Sequence, residues 1–141
     1  MGTIIVGVDG TETAGAAALT AARLAVALDH DLVVVCGYGK DEVESLDGID
    51  SDFSTSDAAA TVGEQTMRRL RAAYPAVRVS AVAEGSKPAD ALLAVAARLE
   101  AELIVVGNKR VQGAARILGS IASDVARRTR CDLYVAYTHA R

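Results

Sequence analysis

The sequence contains no tryptophan and a single phenylalanine, Phe53. A core that cannot draw on large rings must be built from smaller side chains. No apolar run approaches the roughly 20 residues that a membrane helix needs, so no spanning segment is expected. The first residues already read as a strand, so no signal peptide is expected either. Positive charge is not in excess: 15 basic residues against 18 acidic ones leave a formal net charge of −3. That balance argues against wholesale nucleic-acid binding, which needs a basic footprint. The two cysteines, Cys36 and Cys131, sit in or beside apolar strands without metal-ligand spacing, and read as buried free thiols. The two histidines, His30 and His139, read as solvent-exposed, with no neighbours suited to a metal site or a catalytic base. A cytoplasmic protein is the expectation.

What remains is largely alanine, valine and leucine within a chain of 141 residues that is 51% hydrophobic. Small and branched side chains suit helices packed closely on a parallel sheet covered on both faces. The length fits a single domain spanning 1–141. Five runs rich in β-branched residues, Thr3–Val8, Asp31–Cys36, Val77–Ala83, Leu103–Val106 and Asp132–Tyr137, are expected as strands. Between them the spacing predicts four helices. The first starts near Thr11 or Thr13 and runs to about Leu28. The second covers about Asp57 to Tyr74 and stops before Pro75. A third opens at Ser86-Lys87-Pro88 and reaches Leu99, and a fourth runs from Gly119-Ser120 to Arg128 with Ser120 as N-cap. The acidic stretch between Tyr38 and Ser56 reads as a loop, either a functional lid or a solvated connection.

Alternating strands and helices imply an α/β fold, a doubly wound five-stranded parallel sheet, ordered either 3-2-1-4-5 or 2-1-3-4-5. Ligands of such sheets bind at the carboxyl ends of the strands where the winding reverses. In the first order the reversal lies between strands one and four, whose exits are Gly7-Val8-Asp9-Gly10 and Gly107-Asn108-Lys109-Arg110. The second exit continues to Gly119-Ser120 and the fourth helix. Glycines there let backbone amides approach a ligand, and a helix N-terminus attracts an anion. From Gly107 onward seven basic residues, Lys109, Arg110 and Arg116 among them, face two acidic ones. On the residues alone, an anion cradle and a plain chain turn with Ser120 as an ordinary cap remain alternatives. Asp9 likewise can hydrogen-bond a ribose or support the first helix through Thr11. Arg127, Arg128 and Arg130 read as a solvated end to the fourth helix. No Walker A spacing and no nucleophile–base–acid set is present.

Ile5-Val6-Gly7-Val8-Asp9-Gly10-Thr11 resembles the opening of universal stress proteins. Leu103 to Asn108 followed by Gly119-Ser120 resembles their fourth strand and nucleotide loop, and Cys131 to Val135 their last strand. The resemblance implies an adenine nucleotide alpha hydrolase-like sheet in the 3-2-1-4-5 order and a homodimer paired through the last strand, Asp132 to Tyr137. It also implies an adenine nucleotide (ATP, AMP or ADP, with or without Mg²⁺) in a stress-response role. The residues it assigns to the nucleotide are Gly7, Val8, Asp9, Gly37, Val106, Gly107, Asn108, Arg110, Gly119, Ser120, Ile121 and Ala122. One departure stands out. Arg110 occupies the place of the family loop's second glycine, and eight residues rather than nine separate it from Gly119. Arginine there can either obstruct phosphate or bind it. The alternative is a nucleotide-free dimeric interaction protein of the same family; a third reading is weak ATP hydrolysis or autophosphorylation, with Ser120 or a nearby Ser or Thr as acceptor.

Overall fold

The computed structural model describes residues 2–39, 51–108 and 119–138. Five parallel strands form one sheet: β1 (Thr3–Gly7), β2 (Asp31–Gly37), β3 (Val79–Glu84), β4 (Leu103–Gly107) and β5 (Asp132–Ala136). Their order is β3-β2-β1-β4-β5, the first of the two alternatives. The helices α1 (Glu12–Leu28), α2 (Ser51–Ala73), α3 (Pro88–Leu99) and α4 (Ser120–Arg128) form the crossovers.

Continuous apolar strands are explained by burial on both sides. Side chains alternate across a pleated strand, and the core divides accordingly. Ile4, Val6, Leu32, Val34 and Val105 pack with the alanines of α1 and with Leu70 of α2. Ile5, Val33, Val35, Ile104 and Val106 pack with Leu92 and Val95 of α3 and Val125 of α4. Ile4, Ile5, Val6, Ile104 and Val105 are completely buried, and each such side chain contributes about 1.5–3 kcal/mol of transfer free energy. The small residues Ala17, Ala18, Ala21, Ala22 and Ala25 bring α1 close against the sheet.

Several expected boundaries shift, each for a local reason. Thr11 rather than Thr13 caps α1, its side chain accepting the amide of Ala14. The helix α2 begins at Ser51, so the acidic stretch is helical from there; its Ser and Thr residues, which compete for local backbone bonds, hid this. Positions 40–50 lie outside the described residues. Val77 is not part of β3, because its amide turns back to Tyr74 O at 2.9 Å. Gly119, not Ser120, is the N-cap of α4, and Ser120 is its first helical residue. His30 is not solvent-exposed: its side chain is 18% accessible, and Nδ1 accepts the Gly2 amide at 3.0 Å. It ties the start of β1 to the turn before β2. His139 lies outside the described residues.

Candidate functional site

The sheet order places the ends of β1 and β4 side by side, with crossovers leaving in opposite directions. Between them opens a cleft of about 230 Å³. One wall is the turn from β1 into α1. Val8 remains tied to β2, its amide donating to Val35 O at 2.9 Å. Gly10 then takes φ of 88°, a left-handed conformation that glycine adopts without Cβ penalty. That reversal swings Asp9 over Thr11, whose amide and hydroxyl both donate to Asp9 Oδ1, at 2.9 and 2.6 Å. Asp9 thus supports the helix cap and also lines the cleft.

The opposite wall is the start of α4. Gly119 caps that helix without a side chain and so offers its first amides no side-chain acceptor. Ser120, Ile121 and Ala122 carry those amides and line the cleft. Unpaired N–H groups at the positive end of a helix dipole form a polar surface complementary to an anion. The contrast with α1, capped by Thr11, is direct.

The third side is apolar. Val35, Gly37, Pro88 and Leu92 line it. Gly37 allows close packing there: a Cβ would fall 2.7 Å from Ser86 O and 3.0 Å from Ala91 Cβ. The floor is made of Gly7, Val106 and Gly107. A flat apolar ring and an anionic group thus find different surfaces within one opening.

Of the twelve residues singled out from the sequence, the cleft gathers Gly7, Val8, Asp9, Gly37, Val106, Gly107, Gly119, Ser120, Ile121 and Ala122. Asn108 does not line it; both its backbone polar groups turn toward the end of β5 and the residues just beyond, N–H to Ala136 O and C=O to Thr138 Oγ1, each at 3.0 Å. Arg110, with Lys109, Gly113 and Arg116, lies outside the described residues. Sequence reasoning did not place Thr13, Ala14, Val35, Pro88 and Leu92 at the site. Thr13 and Ala14 were within reach, being the first turn after the Asp9 loop. Pro88 and Leu92 carried no signal, because only the sheet order brings the start of α3 beside the end of β1.

Among the described lining residues Asp9 is the one ionisable side chain. Nearby Cys36 is buried, which pushes its thiol pKa up, and the carboxylate of Asp9 adds to the shift. It is a packed neutral thiol rather than a nucleophile. Among the described residues no three His, Cys, Asp or Glu side chains converge as a metal site, and no helix is long and apolar enough to cross a membrane.

Comparison with known proteins agrees with this geometry. The chain matches the model of the universal stress protein family over residues 1–136. Universal stress protein Rv1636 of Mycobacterium tuberculosis is 28% identical over 141 residues, covering 96% of both chains. A crystal structure of a universal stress protein in complex with cAMP is 27% identical, with a TM-score of 0.74 over 98% of each chain. The universal stress protein from Archaeoglobus fulgidus in complex with dAMP shares the fold at 22% identity, a TM-score of 0.61 and coverage of 96% and 97%. A sheet reversing between β1 and β4, a glycine-lined cleft at that reversal and a match over nearly the whole sequence lead to one assignment: the chain belongs to the universal stress protein family.

Proposed function

We propose that this protein binds an adenine nucleotide in the cleft between β1 and β4, as a cytoplasmic regulatory homodimer in a stress response. The observation that carries the reading is the pairing of two unlike surfaces across one small opening. The uncapped amides of Ser120, Ile121 and Ala122 suit a phosphate, and the wall of Val35, Gly37, Pro88 and Leu92 suits a flat ring. The 27%-identical universal stress protein in complex with cAMP supports the same ligand class. ATP, ADP, AMP and cAMP all present both features. Asp9, which lines the cleft, takes the sugar in this reading. With a polyphosphate, Asp9 and phosphate oxygens form the kind of donor set Mg²⁺ takes, one carboxylate plus substrate oxygens. Residues 1–141 act as one domain in this reading, paired through β5.

Equilibrium dialysis against radiolabelled ATP and cAMP, with and without Mg²⁺, tests it. Saturable binding at micromolar concentrations is expected, and no binding at about 1 mM, equivalent to under about 4 kcal/mol, overturns it. One observation favours the second reading, a nucleotide-free interaction protein of the same family. The charge contributed by the described cleft is negative, at Asp9. A dimer that takes up neither nucleotide is the outcome that reading requires.

A further inference from the structure

The residue that leaves β4 is held by a segment that does not line the cleft. Asn108 N–H donates to Ala136 O at 3.0 Å, and Asn108 C=O accepts from Thr138 Oγ1 at 3.0 Å. Immediately before it, Gly107 lies in a slot. A Cβ at Gly107 would meet Thr13 Cγ2 at 3.3 Å and Thr138 Cγ2 at 3.4 Å. The backbone of Gly107 and Asn108 is therefore fixed by α1 on one side and by residues 136–138 on the other. Thr138 contributes twice, with its hydroxyl to Asn108 and its methyl to Gly107. Gly107 and Thr13 line the cleft; Thr138 does not.

Resting on the nucleotide-binding reading above, we propose that Thr138 is a positioning residue for the nucleotide. Its hydroxyl holds the Asn108 carbonyl, and its methyl meets Gly107, so that the β4 floor of the cleft stands at the distance from Asp9 and α4 that the ligand requires. The chemistry favours a hydrogen bond over mere packing here. A carbonyl at the exit of a strand has lost its ladder partner and needs a donor, and a threonine two residues past the end of β5 supplies one. Preorganising a wall in this way improves affinity by lowering what must be ordered on binding.

Two substitutions separate the hydroxyl from the methyl. Thr138→Val keeps the shape and the contact with Gly107 but removes the donor; Thr138→Ser keeps the donor and removes the methyl. Nucleotide dissociation constants are measured by equilibrium dialysis, thermal unfolding monitors the fold, and hydrogen exchange reads the Asn108 amide without ligand. Thr138→Val is expected to weaken nucleotide binding about two- to tenfold, the worth of one half-buried neutral hydrogen bond. It should also speed exchange at Asn108, with the unfolding midpoint nearly unmoved. Thr138→Ser should restore binding to within about twofold. Wild-type affinity in Thr138→Val, or equal loss in both variants, overturns the positioning role while leaving nucleotide binding intact. Unchanged Asn108 exchange in Thr138→Val overturns it as well. A wild-type protein that binds no nucleotide overturns the parent reading, and this inference with it.

Discussion

Asp9 Oδ1 accepts two hydrogen bonds from Thr11, one from its amide and one from its hydroxyl, and the Thr11 oxygen in turn accepts the amide of Ala14 at 3.2 Å. A carboxylate at the end of the first strand thus organises the first turn of α1 through an intermediary. The arrangement gives Asp9 two separable duties. Orienting Thr11 bears on stability, and under the proposed function the carboxylate that lines the cleft bears on binding.

Substitutions at the two positions should divide those duties. Thr11→Ala removes the cap and is expected to cost about 1 kcal/mol in urea unfolding. Asp9→Ala should cost no more than that in stability, yet weaken nucleotide binding about tenfold or more, the scale of a hydrogen bond to a charged group. Equal losses of stability with unchanged binding in both variants would reduce Asp9 to a helix support.

Two glycines of the site should respond differently to a methyl group. At Gly37 the added Cβ would lie 2.7 Å from a main-chain oxygen, that of Ser86, and 3.0 Å from Ala91 Cβ. Backbone has to shift, so Gly37→Ala should destabilise the fold by about 1–3 kcal/mol. At Gly107 the nearest atoms are a threonine methyl at 3.3 Å and atoms at 3.4 Å. Gly107→Ala is therefore expected to cost under about 1 kcal/mol in stability while shifting the floor of the proposed ligand cleft and weakening nucleotide binding. Urea unfolding and nucleotide dialysis on the same two variants check the contrast.

These glycines also mark what the sequence could and could not reveal. Apolar runs at Ile4–Val6, Leu32–Val35 and Ile104–Val106 announced buried parallel strands, because a strand covered on both faces has no reason to alternate. Turn glycines at the ends of β1 and β4 then located the cleft, once the family resemblance had selected one strand order from two. Side chains whose importance depends on tertiary neighbours stayed hidden. Leu92 looks like any leucine on an amphipathic helix until the order of β1 and β2 sets it under Gly7, where a Cβ would meet its methyls at 3.2 Å. His30 read as solvated, and the bond from Arg128 to Asp90 went unread, for the same reason: Gly2 and Asp90, the partners, are 28 and 38 positions away. Arg128 lies exposed in the last turn of α4, as read, and it also ties α4 to α3, which has a measurable consequence.

Arg128 donates to Asp90 of α3 at 2.7 Å and to both oxygens of Asp124 at 3.0 and 2.9 Å. The hydrogen bond from Arg128 foremost, then its charge and the contribution of Arg127, holds the carboxyl of Asp124 below the usual carboxylate range. A carboxylate more acidic in the folded than in the unfolded chain stabilises the fold above its unfolded value, about pH 4. That contribution disappears as pH falls through the lower, folded value. Arg128→Met should accordingly lower the melting temperature at pH 6 and lose part of the acid-side slope, so that the two melting curves approach each other below about pH 3. The pair is exposed, so added salt should shrink the difference at pH 6. Circular-dichroism melts across that range, at low and high salt, provide the check; parallel curves at every pH would mean that Arg128 acts by packing alone.

The outer edge of β5 is where the proposed homodimer would pair. β5 is bonded on one side to β4, and its other side ends the sheet. An edge strand of this kind presents free main-chain groups, and proteins usually protect such edges with charge, a bulge or a partner. Along β5, charge appears at Asp132, while Leu133, Tyr134 and Val135 follow as an apolar run. Tyr134 is 39% exposed, and Tyr137 just beyond the strand is 47% exposed. That combination suits pairing with a second copy. Tyr134→Lys places a charge in the seam twice, once from each copy, and should convert a dimer to monomer in analytical ultracentrifugation at micromolar concentration. Because residues 136–138 also hold Asn108, the dissociated variant is expected to bind nucleotide more weakly, and by reciprocity nucleotide should favour the dimer. A wild-type protein that sediments as a monomer at every concentration would remove the dimer, and a monomeric variant with unaltered affinity would remove the coupling alone.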